Sequence, residues 1–278
     1  MLRSIEEVYC VIDEIVQAAI SKKLKIGRRS KLTVSEALTI MIEGHKRNLF
    51  TVKQLYELVC GELRTYFKCL PSYVQFTRKL RSVHSYLDLV IAVISRINSE
   101  KKQELAIVDS TSVPVAGYNR KHVKWAADSA GKSKNMHGFY QRFKLHLIIN
   151  QNREVISAMV TKANLHDIQA LKNTDFIKHV KGILIGDKGY VASEKHLALL
   201  QRNGIKLIAK QRRNMDPYLN QYYRPLLKQR GRIESIFGQL KTRLSLIFPF
   251  ARTADGFLVQ VKAALLTVML GKFNTRYV

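Results

Sequence analysis

The sequence predicts an α/β protein: a mixed sheet of order βββαβαβ followed by a long helix, with an all-helical N-terminal domain before it. Two observations carry this. Up to about residue 100 the apolar residues recur at helical spacing, and from residue 105 onward short β-rich runs separated by turns replace them. The polar stretch NSEKKQE at 98–104 divides the two patterns, so domains are expected at 1–100 and 101–278.

In the first part Ala37, Leu38, Met41 and Ile42 form an apolar stripe, and Thr33 followed by Glu36 has the form of a capping box. Pro71 and Ser72 open a further helix whose first turns carry Tyr73, Gln75, Arg78, Lys79 and Arg81. Arg78 and Lys79 are DNA contacts if that helix enters a major groove; the other reading is a basic, solvated face on an ordinary helix.

In the second part the runs at 105–115, 143–150 and 154–163, with NQNRE as a hairpin turn between the last two, suggest an antiparallel meander. Helical stretches at 167–179 and 193–203 alternate with strands at 182–187 and 205–210, which implies parallel crossovers. A long helix is expected over 228–247, where Ile233, Ile236, Phe237, Leu240, Leu244 and Ile247 make one stripe.

Composition narrows the partner. Lys and Arg number 47 against 21 Asp and Glu, a formal charge of +26, which calls for a polyanion. An anionic membrane surface would require a basic amphipathic anchor or a lipidation signal, and the termini show neither, so nucleic acid is the expected partner. Hydrophobic residues make up 46%, as in a globular chain. No uninterrupted apolar stretch reaches the length of a bilayer span, and MLRSIEEVYC has no signal-peptide core, so a cytoplasmic location is expected. Cys10, Cys60 and Cys69 are odd in number and unpaired by spacing; reduced, structural cysteines are expected and a zinc site is disfavoured. Two basic stretches interleave cations with aromatic residues, one at 117–144 and one a basic insertion near 211–228 that contains Arg212 and Arg213. Phosphate contact with stacking on bases is one use of such stretches; solvated loops with aromatics packed on the core are the other.

Three carboxylates stand out. Asp109 follows the apolar run LAIV and Asp187 follows ILIG, each at a position where an unpaired charge is costly. Taken singly, each also suits a turn. Glu234 lies beside the stripe of the last helix, with Arg230 four residues before it and Lys241 seven after it. At 100° per residue the three share a face, as a surface ion pair or as a metal-binding carboxylate flanked by two phosphate-gripping cations. Magnesium suits such a site, being a hard ion that takes carboxylate oxygens and keeps open positions for phosphate.

On the motifs IVDST around Asp109, IGDKGY around Asp187 and Arg230-x3-Glu234-x6-Lys241, the chain resembles the DDE transposases of bacterial insertion sequences, and most closely the insertion-sequence 982 family. The aspartates are 78 residues apart (187 − 109) and the glutamate follows the second by 47 (234 − 187). The resemblance covers the C-terminal two thirds and implies a ribonuclease H-like core. It also implies that Asp109, Asp187 and Glu234 are catalytic metal ligands for Mg2+, two ions with Mn2+ as a substitute. Arg230 and Lys241 then contact DNA near the scissile end, with Arg232 among the DNA-binding residues and Lys188 either a turn residue or another phosphate contact. A tyrosine common three residues before the arginine in related enzymes is replaced here by Leu227. ANLHDIQAL also looks like the family; Asp167 reads as a helix N-cap or a supporting site residue, and His166 as a DNA contact, a group shaping the site or a locally bonded histidine. The implied partners are transposon-end and target DNA, and a homodimer or larger assembly on paired ends. A ribonuclease H-like nuclease and a non-catalytic DNA-binding relic are the rival readings.

Overall fold

The computed structural model describes residues 4–19, 30–101, 104–115, 123–126, 130–135, 138–212, 215, 217–244, 246 and 251–272. Its helices and strands run α1 Ile5–Ala19, α2 Val34–Lys46, α3 Val52–Cys60, α4 Tyr73–Ser82, α5 His84–Glu100, β1 Leu105–Pro114, β2 Gly131–Asn135, β3 Gly138–Asn150 and β4 Val155–Lys162. Then follow α6 Asp167–Ala170, α7 Thr174–Ile177, β5 Gly182–Gly186, α8 Glu194–Arg202, β6 Ile205–Ala209, α9 Pro217–Tyr222, α10 Arg224–Lys228, α11 Gly231–Gly238 and α12 Ala254–Lys272. The chain divides into two compact units, Ser95–Gln239 and a helical one made of Met1–Ile94 with Leu240–Val278. The helical unit is therefore discontinuous in sequence, because the last helix joins the first four and the start of α5.

In the helical unit α2 is central. Every residue from Ser35 to His45 except Glu36 is buried, and α1, α3, α4 and α12 pack around it. The helix starts where Thr33 and Glu36 exchange side-chain bonds to each other's backbone N–H, at 3.1 and 2.6 Å. Thr51 and Gln54 repeat that box at the start of α3. The single helix expected from residue 71 is two, α4 and α5, broken at Val83. α12 has the length and composition to cross a membrane, with a mean hydropathy of 1.4 despite Gln260 and Lys262. Its Phe257, Val261 and Ala263 to Leu270 are buried in this unit and Lys262 pairs with Asp88 at 2.7 Å, which is the pattern of a core helix. Cys10, Cys60 and Cys69 are free and exposed, so none fills the core as structural cysteines would.

The second unit is built on a mixed sheet of order β2-β3-β1-β5-β6, with β4 also on β3. β1 occupies one edge of β3 along Ala106–Pro114, so β2 and β4 follow one another along the opposite edge. β5 and β6 continue the sheet in parallel. Five strands lie on the runs read as strands; β2, GKSKN, lies inside the basic stretch read as a loop, because it has no apolar alternation to announce it. The β3–β4 turn is tied by Asn150, whose Oδ1 accepts from the N–H of Asn152 at 2.9 Å and of Glu154 at 3.0 Å.

Alternation sends Ala106 and Val108 to one face, where they meet Ile148, Ile156, Leu171, Phe176 and Tyr190 under α6, α7 and α8. Leu105, Ile107 and Asp109 face the other way, where α11 packs against β1. The helix expected at 167–179 is two short ones, because the Asn173 side chain caps α7 by accepting from Asp175 and Phe176. The helix expected over 228–247 is also shorter. Glycines 231 and 238 bound α11, and Gln239–Arg243 continue as a π-helical turn. Ile233, Ile236, Phe237, Leu240 and Leu244 are buried as the stripe requires, while Ile247 lies outside the described residues.

Candidate active site

The sheet brings the two aspartates to one level. β5 pairs with β1 in the register Ile107 to Ile185, two residues before each aspartate, so the sequence offset of 78 is also the pairing offset. Adjacent strands lie about 4.8 Å apart; alternation points Asp109 to the α11 face, and Asp187 follows the last residue of β5. β5 ends at Gly186 while β1 runs on to Pro114, so Asp109 stands where its parallel neighbour has just turned away. This is the carboxyl end of two parallel strands, the place where open α/β sheets bind ligands.

The turn that removes β5 is built by its own motif. Asp187 Oδ1 accepts from the N–H of Gly189 at 2.7 Å and caps a 3-10 turn, Lys188–Tyr190, that returns Tyr190 to the core. Both glycines of GDKGY are needed for close approach. A Cβ on Gly186 would stand 2.9 Å from Tyr190 Cβ, and one on Gly189 would stand 2.7 Å from Asp167 Oδ2 and 3.0 Å from Asp187 Oδ1.

Asp109 is 15% exposed; its Oδ1 accepts from the Ser110 N–H at 2.8 Å and its Oδ2 from Arg230 Nη1 at 3.1 Å. Burial pushes its carboxyl up to about 6; Ser110 and Arg230 oppose the rise and the charges of Asp187 and Asp167 add to it. Glu234, on α11, is 63% exposed and takes the other arm of Arg230 at 3.5 Å. Among the described residues no three potential metal-ligating side chains are gathered closely enough to hold an ion. The donor chemistry fits a hard cation all the same, since two carboxylates share one level and a third is tethered to the first by a guanidinium.

Behind the aspartates lies a polar network. Asp167 is not the N-cap of α6: His166 has that position, exposed and without a side-chain cap bond. Asp167 instead accepts from the Ser110 hydroxyl and from Lys144 Nζ, both at 2.9 Å, tying β1 to β3. His146, opposite Ser110 on β3, has one ring nitrogen 2.8 Å from the Thr161 hydroxyl and the other 3.4 Å from the Tyr190 hydroxyl. Burial lowers His146 to about 4, keeping it neutral, and raises the Tyr190 phenol far above its ordinary range. Ser110, Lys144, His146 and Tyr190 were not singled out from sequence. The signal was there in FKLHLII, two polar residues at alternate positions of an otherwise apolar strand.

The remaining expected contacts are scattered. Lys188 is exposed beside Asp187. Arg232 donates to the Gln151 carbonyl at 2.8 Å and lines a cleft of about 730 Å3 with Glu104, Leu105, Ile183 and Leu226. Leu105 and Ile183 are four residues before the aspartates, so this cleft lies roughly 13 Å from them along the strands, away from the carboxylate chemistry. Arg78 and Lys79 are on α4 and Lys241 is in the π-helical turn, all in the helical unit. The π turn also breaks the 100° count that placed Lys241 on the face of Glu234. Arg212 is exposed, and Arg213 lies outside the described residues.

A comparison with curated proteins finds no match. The family model described as a transposase DDE domain matches residues 99–249, which is more than half of the chain and spans β1 to the end of the π-helical turn. With Asp109, Asp187 and Glu234 all inside that span, the chain belongs to the transposase DDE domain family.

Proposed function

We propose that this transposase, of the insertion-sequence 982 type with a ribonuclease H-like core, binds the terminal inverted repeats of its element, cuts the DNA there and joins the 3′ ends to target DNA. The observation that carries this reading is the shared level of Asp109 and Asp187, with Glu234 linked to Asp109 through Arg230. Phosphoryl transfer needs little covalent chemistry from protein; it needs oxygen ligands and positioned charge.

Asp109, Asp187 and Glu234 would hold Mg2+, or Mn2+ in its place. When bound, such ions make an attacking hydroxyl more nucleophilic and stabilise the leaving oxygen. The chain's own groups set the donors. The N–H of Ser110 fixes one oxygen of Asp109, that of Gly189 fixes one oxygen of Asp187, and Asp167 braces both loops from behind. In the first step water attacks the scissile phosphorus and the strand's 3′ oxygen leaves as a hydroxyl. In the second, that hydroxyl attacks a target phosphorus and displaces a target 3′ oxygen, with no covalent protein intermediate. Lys188, Arg212 and Arg213, Arg232, Lys241, and Arg78 with Lys79 supply the DNA-binding charge. Active units are dimers or larger on paired ends, acting in the cytoplasm on nucleoid DNA.

The test is cleavage of DNA carrying the element's terminal repeats, with and without Mg2+. Asp109→Asn, Asp187→Asn and Glu234→Gln should each lower cleavage about a thousandfold or more while leaving repeat binding in place. Full cleavage by any one of them removes that residue from the catalytic set.

A further inference from the structure

Arg230 does not reach out toward solvent as a phosphate-gripping arginine would. Its side chain is 27% exposed and its two terminal nitrogens face two different carboxylates, Nη1 to Asp109 at 3.1 Å and Nη2 to Glu234 at 3.5 Å. Asp109 and Glu234 are 125 residues apart in sequence (234 − 109), on a strand and on the helix that packs over it. A guanidinium is a planar fork that can bridge two carboxylates in this way, and its one positive charge offsets half of theirs.

Resting on the metal-dependent reading above, we infer that Arg230 is the built-in counter-ion of the carboxylate site, holding Asp109 and Glu234 until a divalent cation and DNA together displace it. The same group cannot serve both partners. While its fork is on the carboxylates it repels an incoming cation and is withheld from phosphate. Once a phosphate draws the fork away, Asp109 and Glu234 are left as uncompensated carboxylates beside Asp187, and their demand for a cation rises. DNA and cation therefore strengthen each other's binding, and linkage requires the effect to be mutual. The advantage is order: a site whose negative charge is partly masked until its substrate arrives does not assemble on the wrong occasion.

The experiment measures binding, not turnover. The full chain is titrated with Mn2+ by electron paramagnetic resonance of the free ion, with and without a pre-cleaved duplex of the element's terminal repeat. Wild type should bind Mn2+ about tenfold more tightly when the duplex is present. Arg230→Gln should bind Mn2+ about tenfold more tightly than wild type without DNA, and the duplex should add little. Arg230→Lys, whose single-point charge cannot span both carboxylates, should fall between them, and it serves if the glutamine variant fails to fold. Equal or weaker Mn2+ binding by Arg230→Gln with no loss of coupling overturns the inference and returns Arg230 to an ordinary phosphate contact or a structural bridge. No Mn2+ binding by any protein, with or without DNA, overturns the metal-dependent reading along with it.

Discussion

The helical unit and the sheet unit each bury a carboxylate, and they treat it differently. Glu43, 4% exposed on α2, has two cations from the next turn of its own helix, Lys46 and Arg47, three and four residues on. Asp109, 15% exposed on β1, has one guanidinium, shared with Glu234, and two further carboxylates close enough to push its pKa up. The charge of Glu43 is neutralised locally by residues that sequence places beside it. A charge kept for chemistry is left short of partners, and its partners come from distant parts of the chain.

That contrast can be broken at Glu43. Glu43→Ala leaves two cations facing a buried gap and should cost about 2–3 kcal/mol in urea unfolding, near the lower end because Arg47 is 36% exposed. A loss below about 0.5 kcal/mol would mean the pair is not structural. On the sheet side, Asp109→Asn should gain about 1–2 kcal/mol above pH 6 while cleavage disappears. The sign follows from its pKa, raised from 3.8 to about 6: the folded state binds the proton more tightly, so wild type loses stability as pH rises through that window and the amide does not. Melting curves that coincide above pH 6 would show that the burial cost is already offset by Arg230.

A smaller effect sharpens the same comparison through the histidines. His45 in the helical unit and His146 in the sheet unit are both lowered by burial from 6.5 to about 4. Folding therefore favours the neutral ring in each, and the stability it contributes is present above pH 6.5 and lost as pH falls toward 4. His146 has a partner near both ring nitrogens, whereas His45 Nδ1 has none among the described residues. His45→Leu should thus flatten the acid slope at little cost, and His146→Leu should flatten it while also loosening Tyr190. Equal costs at pH 7 in chemical unfolding would remove the distinction.

Much of this was legible in the sequence, and the misses have physical causes. Short β-rich apolar runs bounded by turns announce strands, which is why β1, β3, β4, β5 and β6 could be drawn. β2, GKSKN, has no apolar alternation to announce it. The π-helical turn is hidden because the stripe from Ile233 to Leu244 stays buried on either side of it. Asp109 and Asp187 were visible as carboxylates ending apolar runs, since burial makes such a position costly. The bond from Arg230 to Asp109 was not, because nothing local marks a contact across 121 residues. Asp167 was legible as a helix start or a supporting site residue; its bonds to Ser110 and Lys144 were not, because those partners lie 57 and 23 residues away.

The shared register of β1 and β5 has a consequence for how such proteins can vary. The level of Asp109 with Asp187 is set by the register of two strands and not by the length of the excursion between them, which contains β2, β3, β4, α6 and α7. That excursion can lengthen or shrink at its loops without moving either carboxylate, so the count of residues between the aspartates is a property of the decoration. One residue inserted inside either strand would do the opposite, turning an aspartate into the core on the far face of the sheet. Tolerance of loop insertions combined with intolerance of single-residue insertions at 105–109 and 183–187 is therefore the mutational signature to expect of this pair.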